Sequence, residues 1–260
     1  MDSKLGFGSL TSPPAIFLHS VPVVVQTPLA VVAAATERTM RETFVWTMAH
    51  ELRQPLSVLS TAVALIRQDS PTEATTQAAD VMARQIRQMS RMIEDLVDAA
   101  RLTNGKLSLQ LERLDLCALI TDAGSDVAPA MAARGHSFEI HCGSEPLWIR
   151  GDAQRLHQVF ANLLQNALKY TEPGGQVMLS VTGGPLTVIA RVLDTGLGIG
   201  APGLERIFDL FAQIQPAASG LGIGLNVVRE IITLHSGLIE AHSDGLGKGS
   251  EFVVVLPRID

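Results

Sequence analysis

Ser219-Gly220-Leu221-Gly222-Ile223-Gly224-Leu225-Asn226-Val227-Val228 is the stretch that decides the fold. Three glycines at alternate positions run straight into an apolar segment of helical periodicity. Free backbone N–H groups and the positive end of a helix dipole therefore face whatever the glycines cradle, which is a phosphate-binding arrangement. The spacing is Gly-x-Gly-x-Gly, not the Gly-x-Gly-x-x-Gly of dinucleotide folds, and a helical segment rather than a strand precedes it. No Gly-Lys-Ser/Thr sequence occurs anywhere in the chain. Rossmann and P-loop architectures are thereby set aside.

Two upstream segments have complementary chemistry. Val192-Leu193-Asp194-Thr195-Gly196-Leu197-Gly198-Ile199 follows an apolar strand pattern. Its glycines permit a tight turn and close approach to a ligand. Asp194, at a strand end among apolar residues, is costly to bury unpaired, and an adenine amino group would satisfy it. Asn162-Leu163-Leu164-Gln165-Asn166-Ala167-Leu168-Lys169-Tyr170 places Asn162, Asn166 and Lys169 at i, i+4 and i+7. Asparagine is a poor choice inside a helix, so two on one face point to ligands. The side-chain oxygen of Asn166 suits Mg²⁺, and Lys169 offers a point charge to phosphate. Taken alone, the same stripe would serve equally as a solvated helix face.

Around these segments the texture from Gly105 onward is α+β. Residues 107–111, 137–141, 177–181, 188–192 and 252–256 alternate as strands do, and helical segments lie near 115–133, 153–168 and 223–236. Before Gly105 the chain is helical. Phe44, Met48, Leu52, Leu59, Val63 and Ile66 form one apolar stripe, and Val81, Ile86, Met89, Ile93, Leu96 and Ala100 a second. Asp69-Ser70-Pro71-Thr72-Glu73 supplies stop, turn and start signals. The expected unit is an antiparallel hairpin, which covers both stripes by pairing with a second copy into a four-helix bundle. His50 stands out within it. Pro55, five residues on, costs a helix interior about 3 kcal/mol, and a bend beside a titratable side chain marks a site. Glu51 can hold the imidazole tautomer or accept its proton, and Gln54 lies one turn from His50 on the same face. Met82, Met89 and Met92 read as bundle core. The other six histidines have no metal-ligand spacing and read as structural.

Composition sets limits on function. With 47% hydrophobic residues in 260, a packed core is expected. A net charge of −6 and 4% aromatic content argue against nucleic acid as a partner. Cys117 and Cys142 make neither a zinc site nor a disulfide framework, so a reduced, cytoplasmic setting is expected. Residues 1–37 form an apolar leader with no recognisable sensor domain. Pro22, Pro28, His19 and Gln26 interrupt it, so it reads as a leader first and as the one route to membrane contact second.

Together these segments resemble the kinase core of two-component sensor histidine kinases, from about Arg38 to Pro257. His50-Glu-Leu-Arg-Gln-Pro55 is similar to their phosphoacceptor box, and Asn162 to Tyr170 to the N box. Asp194-Thr-Gly-Leu-Gly-Ile199 resembles the first glycine box, Ile207-Phe208-Asp-Leu-Phe211 the F box, Gly220 to Gly224 the second glycine box and Gly247-Lys-Gly-Ser250-Glu-Phe the closing one. The resemblance implies a dimerisation and histidine-phosphotransfer hairpin at 38–104. It implies a catalytic domain at 105–260, an α/β sandwich of the Bergerat type that binds ATP and Mg²⁺ under a flexible lid. The implied ATP-binding residues are Asn162, Asn166, Lys169, Tyr170, Asp194, Gly196, Gly198, Ile199, Phe208, Gly220, Gly222, Gly224 and Leu225, with Asn166 on the metal. His50, Glu51 and Gln54 are the implied catalytic set. The implied reaction is ATP-dependent phosphorylation of His50, followed by transfer to an aspartate on a separate response-regulator receiver domain.

Two departures from the family pattern follow. Gln54 stands where such kinases usually carry Thr or Asn, so weak dephosphorylation of the partner is expected. The lid segment Asp209 to Ser219 contains no Lys or Arg, which leaves Mg²⁺, loop amides, Lys169 and Arg155 to meet the γ-phosphate. Two other functions are compatible with the ATP boxes: an ATPase of Bergerat fold without phosphohistidine, and a non-catalytic scaffold that binds a receiver.

Overall fold

The computed structural model describes Met48 and residues 52–53, 55–64, 66, 73–103, 107–213 and 221–260. All of these belong to one compact unit, Phe44–Asp260. The expected leader at 1–37, the expected catalytic set His50, Glu51 and Gln54, and Gly220 lie outside the described residues.

Residues 55–64 are helical, with Pro55 and Ala62 buried and Leu56, Val58 and Val63 exposed. Helix α1 (Glu73–Thr103) follows. Its apolar stripe divides by function. Met92 and Leu96 pack on the core of the following α/β structure, whereas Ile86 and Ile93 remain about half exposed, at 53% and 51%. Met92 is therefore not only hairpin core as its spacing predicts; it joins the helix to the sheet domain. Among the described residues no helix is long and apolar enough to cross a membrane.

The α/β structure runs β1 (Glu112–Asp115), α2 (Leu116–Ala133), β2 (Ser137–His141), β3 (Trp148–Gly151), α3 (Ala153–Tyr170), β4 (Gln176–Gly183) and β5 (Thr187–Asp194). After the one-turn α4 (Ala201–Leu204) come α5 (Gly224–Leu234), β6 (Leu238–His242) and β7 (Ser250–Pro257). Five strands form a sheet in the order β2-β4-β5-β7-β6, parallel between β2 and β4 and antiparallel elsewhere. Strands β1 and β3 make a separate antiparallel pair. Val177, Leu179 and Val181 on β4 and Val188, Ala190 and Val192 on β5 alternate with more exposed residues, so one face of the sheet is apolar. Helices α2, α3 and α5 contribute Ile120, Phe160, Leu163, Leu164, Ile231 and Ile232 to the same buried cluster. This is a two-layer sandwich, the α+β class that the sequence pattern predicts.

The first expected strand is displaced. Residues 107–111 are irregular and the strand begins at Glu112. Its partner β3 ends at Gly151, opposite Glu112, and the Gln110 N–H donates to the Asp152 carboxylate at 2.9 Å instead of to a ladder.

Candidate active site

Helix α3 carries the amide stripe and is fixed at both ends. At its start, the Asp152 side chain accepts the Arg155 N–H at 3.1 Å, an N-cap. The Asp152 N–H donates to Nε2 of His235 at 2.9 Å, while Nδ1 of His235 bonds the Ile231 carbonyl at 2.8 Å. These partners set the imidazole as its Nδ1–H tautomer. Burial pushes the His235 pKa below its ordinary 6.5, against the opposing pull of the Ile231 carbonyl and the Asp152 charge. The ring is thus a neutral bridge from α5 to the head of α3. At the other end, the Tyr170 carbonyl accepts the Leu197 N–H at 3.0 Å, which draws the first glycine segment onto the helix. A Cβ on Gly196 would stand 2.4 Å from that carbonyl, so the approach requires glycine.

Asp194 ends β5 and is buried, at 5% exposure. One carboxylate oxygen accepts the Gly196 N–H at 2.8 Å, and the other accepts the Ser250 hydroxyl. Both partners come from the glycine boxes that flank the site. The Gly247 N–H donates to the Leu197 carbonyl at 2.7 Å and the Gly249 N–H to the Gly196 carbonyl at 3.1 Å. Gly198 adopts φ +66°, and a Cβ there would meet the Gly245 carbonyl oxygen at 2.1 Å. The Ser243 hydroxyl locks this junction, accepting the Ile199 N–H at 2.9 Å and donating to the Gly249 carbonyl at 2.6 Å.

The second glycine segment meets α3 from the other side. Gly224 begins α5, and among the described residues no side chain caps that helix, whose first N–H groups suit an acceptor. A Cβ at Gly224 would lie 3.7 Å from the Asn162 amide nitrogen. That nitrogen is buried and has no hydrogen-bond partner. A buried unpaired donor beside a helix start without a side-chain cap suits an anionic partner. The F segment supports α5: Asn226 donates to the Phe208 carbonyl at 3.0 Å, and Phe208 packs edge-on to Phe252 at 6.5 Å. The Phe211 N–H donates to the Gly222 carbonyl at 2.9 Å, joining the F segment to the second glycine segment.

The described ATP-binding candidates are thus linked into one constellation. Asn162, Asn166, Lys169 and Tyr170 lie on α3, and Asp194, Gly196, Gly198 and Ile199 at the end of β5. Phe208 and Gly222 border α5, and Gly224 and Leu225 open it. Lys169 Nζ sits 4.8 Å from the Tyr170 ring centroid. Arg155 requires correction. Its guanidinium is committed to Asp98 of α1 at 2.6 Å and to Gln158 at 2.9 Å, and Gln158 also donates to Asp98 at 2.8 Å. With Asp98 and Arg155 side chains only 6% and 18% exposed, this group joins α1 to α3 and does not serve a phosphate. Sequence reading missed this junction, as it missed Ser243 and the role of Ser250, and it read His235 as structural without its partners; in each case a partner is distant in sequence. Among the described residues no cluster of His, Cys, Asp or Glu could hold a metal. A Mg²⁺ ion fits here only through neutral amide oxygen, water and phosphate, and Asn166 supplies such an oxygen one turn from the unpaired Asn162.

Residues 40–105 match the His Kinase A (phospho-acceptor) domain family. Residues 151–260 match the histidine kinase-, DNA gyrase B- and HSP90-like ATPase family. The Alginate biosynthesis sensor protein KinB of Pseudomonas aeruginosa is 34% identical over 242 residues, 92% of this chain and 40% of that protein. The chain spans less than half the length of such curated relatives. The crystal structure of full-length ShkA in complex with AMPPNP is similar at 27% identity and TM-score 0.62, over 84% of this chain and 46% of that one. The complex of histidine kinase ThkA with response regulator TrrA shares the fold, with TM-score 0.62 at 19% identity over 90% of this chain and 68% of that one. With both domain families present in order and sensor-kinase relatives along nearly its whole length, the chain carries a histidine-kinase core, a phospho-acceptor domain followed by an ATPase domain.

Proposed function

We propose that this chain is an ATP-dependent protein-histidine kinase that phosphorylates its own His50 and passes the phosphoryl group to an aspartate on a separate response-regulator receiver domain. The observation that carries the reading is the unpaired, buried Asn162 amide beside the uncapped start of α5, within a frame that offers a carboxylate, Asp194, to an adenine amino group. In this reading Asp194 reads the base and Gly196 and Gly198 let the backbone close on it. The amides from Gly220 to Gly224 receive the phosphates. Asn166 holds Mg²⁺, whose chemistry is to neutralise charge on the phosphates. Glu51 polarises the imidazole so that the neutral ring of His50 attacks the γ-phosphorus, with ADP leaving. Such transfer asks the protein for positioning and charge stabilisation more than for covalent work. Gln54 replaces a shorter side chain and holds an attacking water poorly, so regulator dephosphorylation is weak.

Residues 38–104 act as the phosphotransfer hairpin and 105–260 as the catalytic domain. The exposed Leu56, Val58, Val63, Ile66, Ile86 and Ile93 support pairing of the hairpin with a second copy, and ATP use with unpaired thiols supports work in the cytoplasm. The deciding experiment incubates the whole chain and His50→Gln with γ-labelled ATP and magnesium. Acid-labile, base-stable label on the parent and none on the variant is expected. ATP turnover without bound label would favour the plain ATPase, and neither label nor turnover the scaffold.

A further inference from the structure

Cys117 and Cys142 are far apart in sequence yet share one pocket of contacts. Cys117 lies in the first turn of α2, where the Asp115 carboxylate accepts both its N–H at 3.1 Å and the Leu147 N–H at 2.9 Å. Cys142 directly follows β2. Its thiol lies 3.9 Å from the Cys117 carbonyl oxygen and 4.0 Å from the Thr121 hydroxyl. The Cys142 S–H donates to that carbonyl, and the two thiols lie near enough to act on one another electrostatically. Both are reduced. Their surroundings differ: Cys117 is buried at 7% exposure, and Cys142 is only partly covered. Neither residue takes part in the nucleotide constellation.

We propose that Cys117 and Cys142 form an oxidisable thiol pair, a modification site at which a hydroperoxide converts the two thiols into a disulfide linking the head of α2 to the end of β2. The accessible partner reacts first. The Cys142 thiolate attacks the peroxide O–O bond, taking one oxygen as sulfenic acid and releasing the other as alcohol or water. The Cys117 sulfur then attacks the Cys142 sulfur, forming the S–S bond, and the sulfenic oxygen leaves as water with the Cys117 proton. Two electrons pass from the two sulfurs to the peroxide, and a dithiol restores the starting state. Burial, with the neighbouring Cys142 and the Asp115 charge, pushes the Cys117 thiol up to about 12, so the less covered Cys142 meets the peroxide first and Cys117 resolves.

The test treats the whole chain with hydrogen peroxide, blocks free thiols with an alkylating agent and maps peptides without reduction. A single intrachain Cys117–Cys142 crosslink, loss of both free thiols and full recovery with dithiothreitol are expected. In Cys117→Ala, a sulfenic acid on Cys142 should be captured by dimedone. In Cys142→Ala, Cys117 should keep its thiol over the same exposure. Over-oxidation of Cys142 without the crosslink, crosslinks only between chains, or equal oxidation of Cys117 in Cys142→Ala would each overturn the proposal. The parent map decides the matter even if either variant folds poorly.

Discussion

Replacing Asp194 by Asn separates the carboxylate's role in holding the fold from its role in reading a base. In the structure one carboxylate oxygen accepts the Gly196 N–H and the other the Ser250 hydroxyl. Asparagine keeps an oxygen for the Gly196 N–H. Its NH₂ group then faces Ser250, whose hydroxyl can rotate to accept. The loop therefore keeps its connections, and folding stability should change by less than about 1 kcal/mol. A ligand amino group fares differently, because it meets a donor where a charged acceptor stood. One charge-assisted hydrogen bond is worth about 1.5–3 kcal/mol, which at tenfold per 1.4 kcal/mol weakens ATP about 10- to 150-fold. The assay is competition of ATP against a fluorescent adenine nucleotide, run beside urea denaturation of the same samples. An Asp194→Asn chain that folds normally and binds ATP within threefold of the parent would refute the assignment of Asp194 to the base.

Gly198→Ala should cost about 2–4 kcal/mol from its left-handed φ and the clash with the Gly245 carbonyl. An unchanged urea midpoint would contradict the tight junction of the two glycine boxes. A double-mutant cycle of Arg155→Ala with Asp98→Ala should give a coupling of about 1.5–3 kcal/mol, as expected for a charged pair with little exposure. A coupling near zero would show that α1 and α3 are not joined there. His235 predicts a pH dependence: its folded pKa lies below 6.5, so the unfolded chain takes up the proton first as pH falls. The stability due to the neutral ring is complete above pH 6.5 and declines below it, down to the folded pKa. Denaturation between pH 5 and 8 should show this slope in the parent and a shallower one in His235→Gln.

The parts of the site that were legible in the sequence are those where residue choice contradicts local preference. Asn162 and Asn166 interrupt an apolar helix, Asp194 ends an apolar strand, and Gly196, Gly198 and Gly222 occupy positions where a side chain would collide or turn the backbone wrongly. Gly224 is the exception, since a Cβ there would make only ordinary contact with Asn162; the other choices are visible one residue at a time. Strands β3 and β6 were not legible, because four or five residues with weak alternation give no period to read. Partnerships across the chain were also hidden. Arg155 is as compatible with a phosphate as with a carboxylate until the fold brings Asp98, 57 positions away, within 2.6 Å. His235 could be read as structural, but not that it holds the Asp152 N–H 83 positions earlier.

The central claim is that the phosphoryl group of ATP comes to rest on His50. The most direct test is tandem mass spectrometry of the whole chain after brief exposure to magnesium and ATP, with digestion kept at neutral to mildly alkaline pH so that a phosphorus–nitrogen bond survives. The account predicts one added phosphoryl group located on His50, absent from Asp194→Asn at low ATP and restored there at high ATP. A phosphoryl group on any other residue, or an unmodified His50 in a sample that consumes ATP, would contradict it.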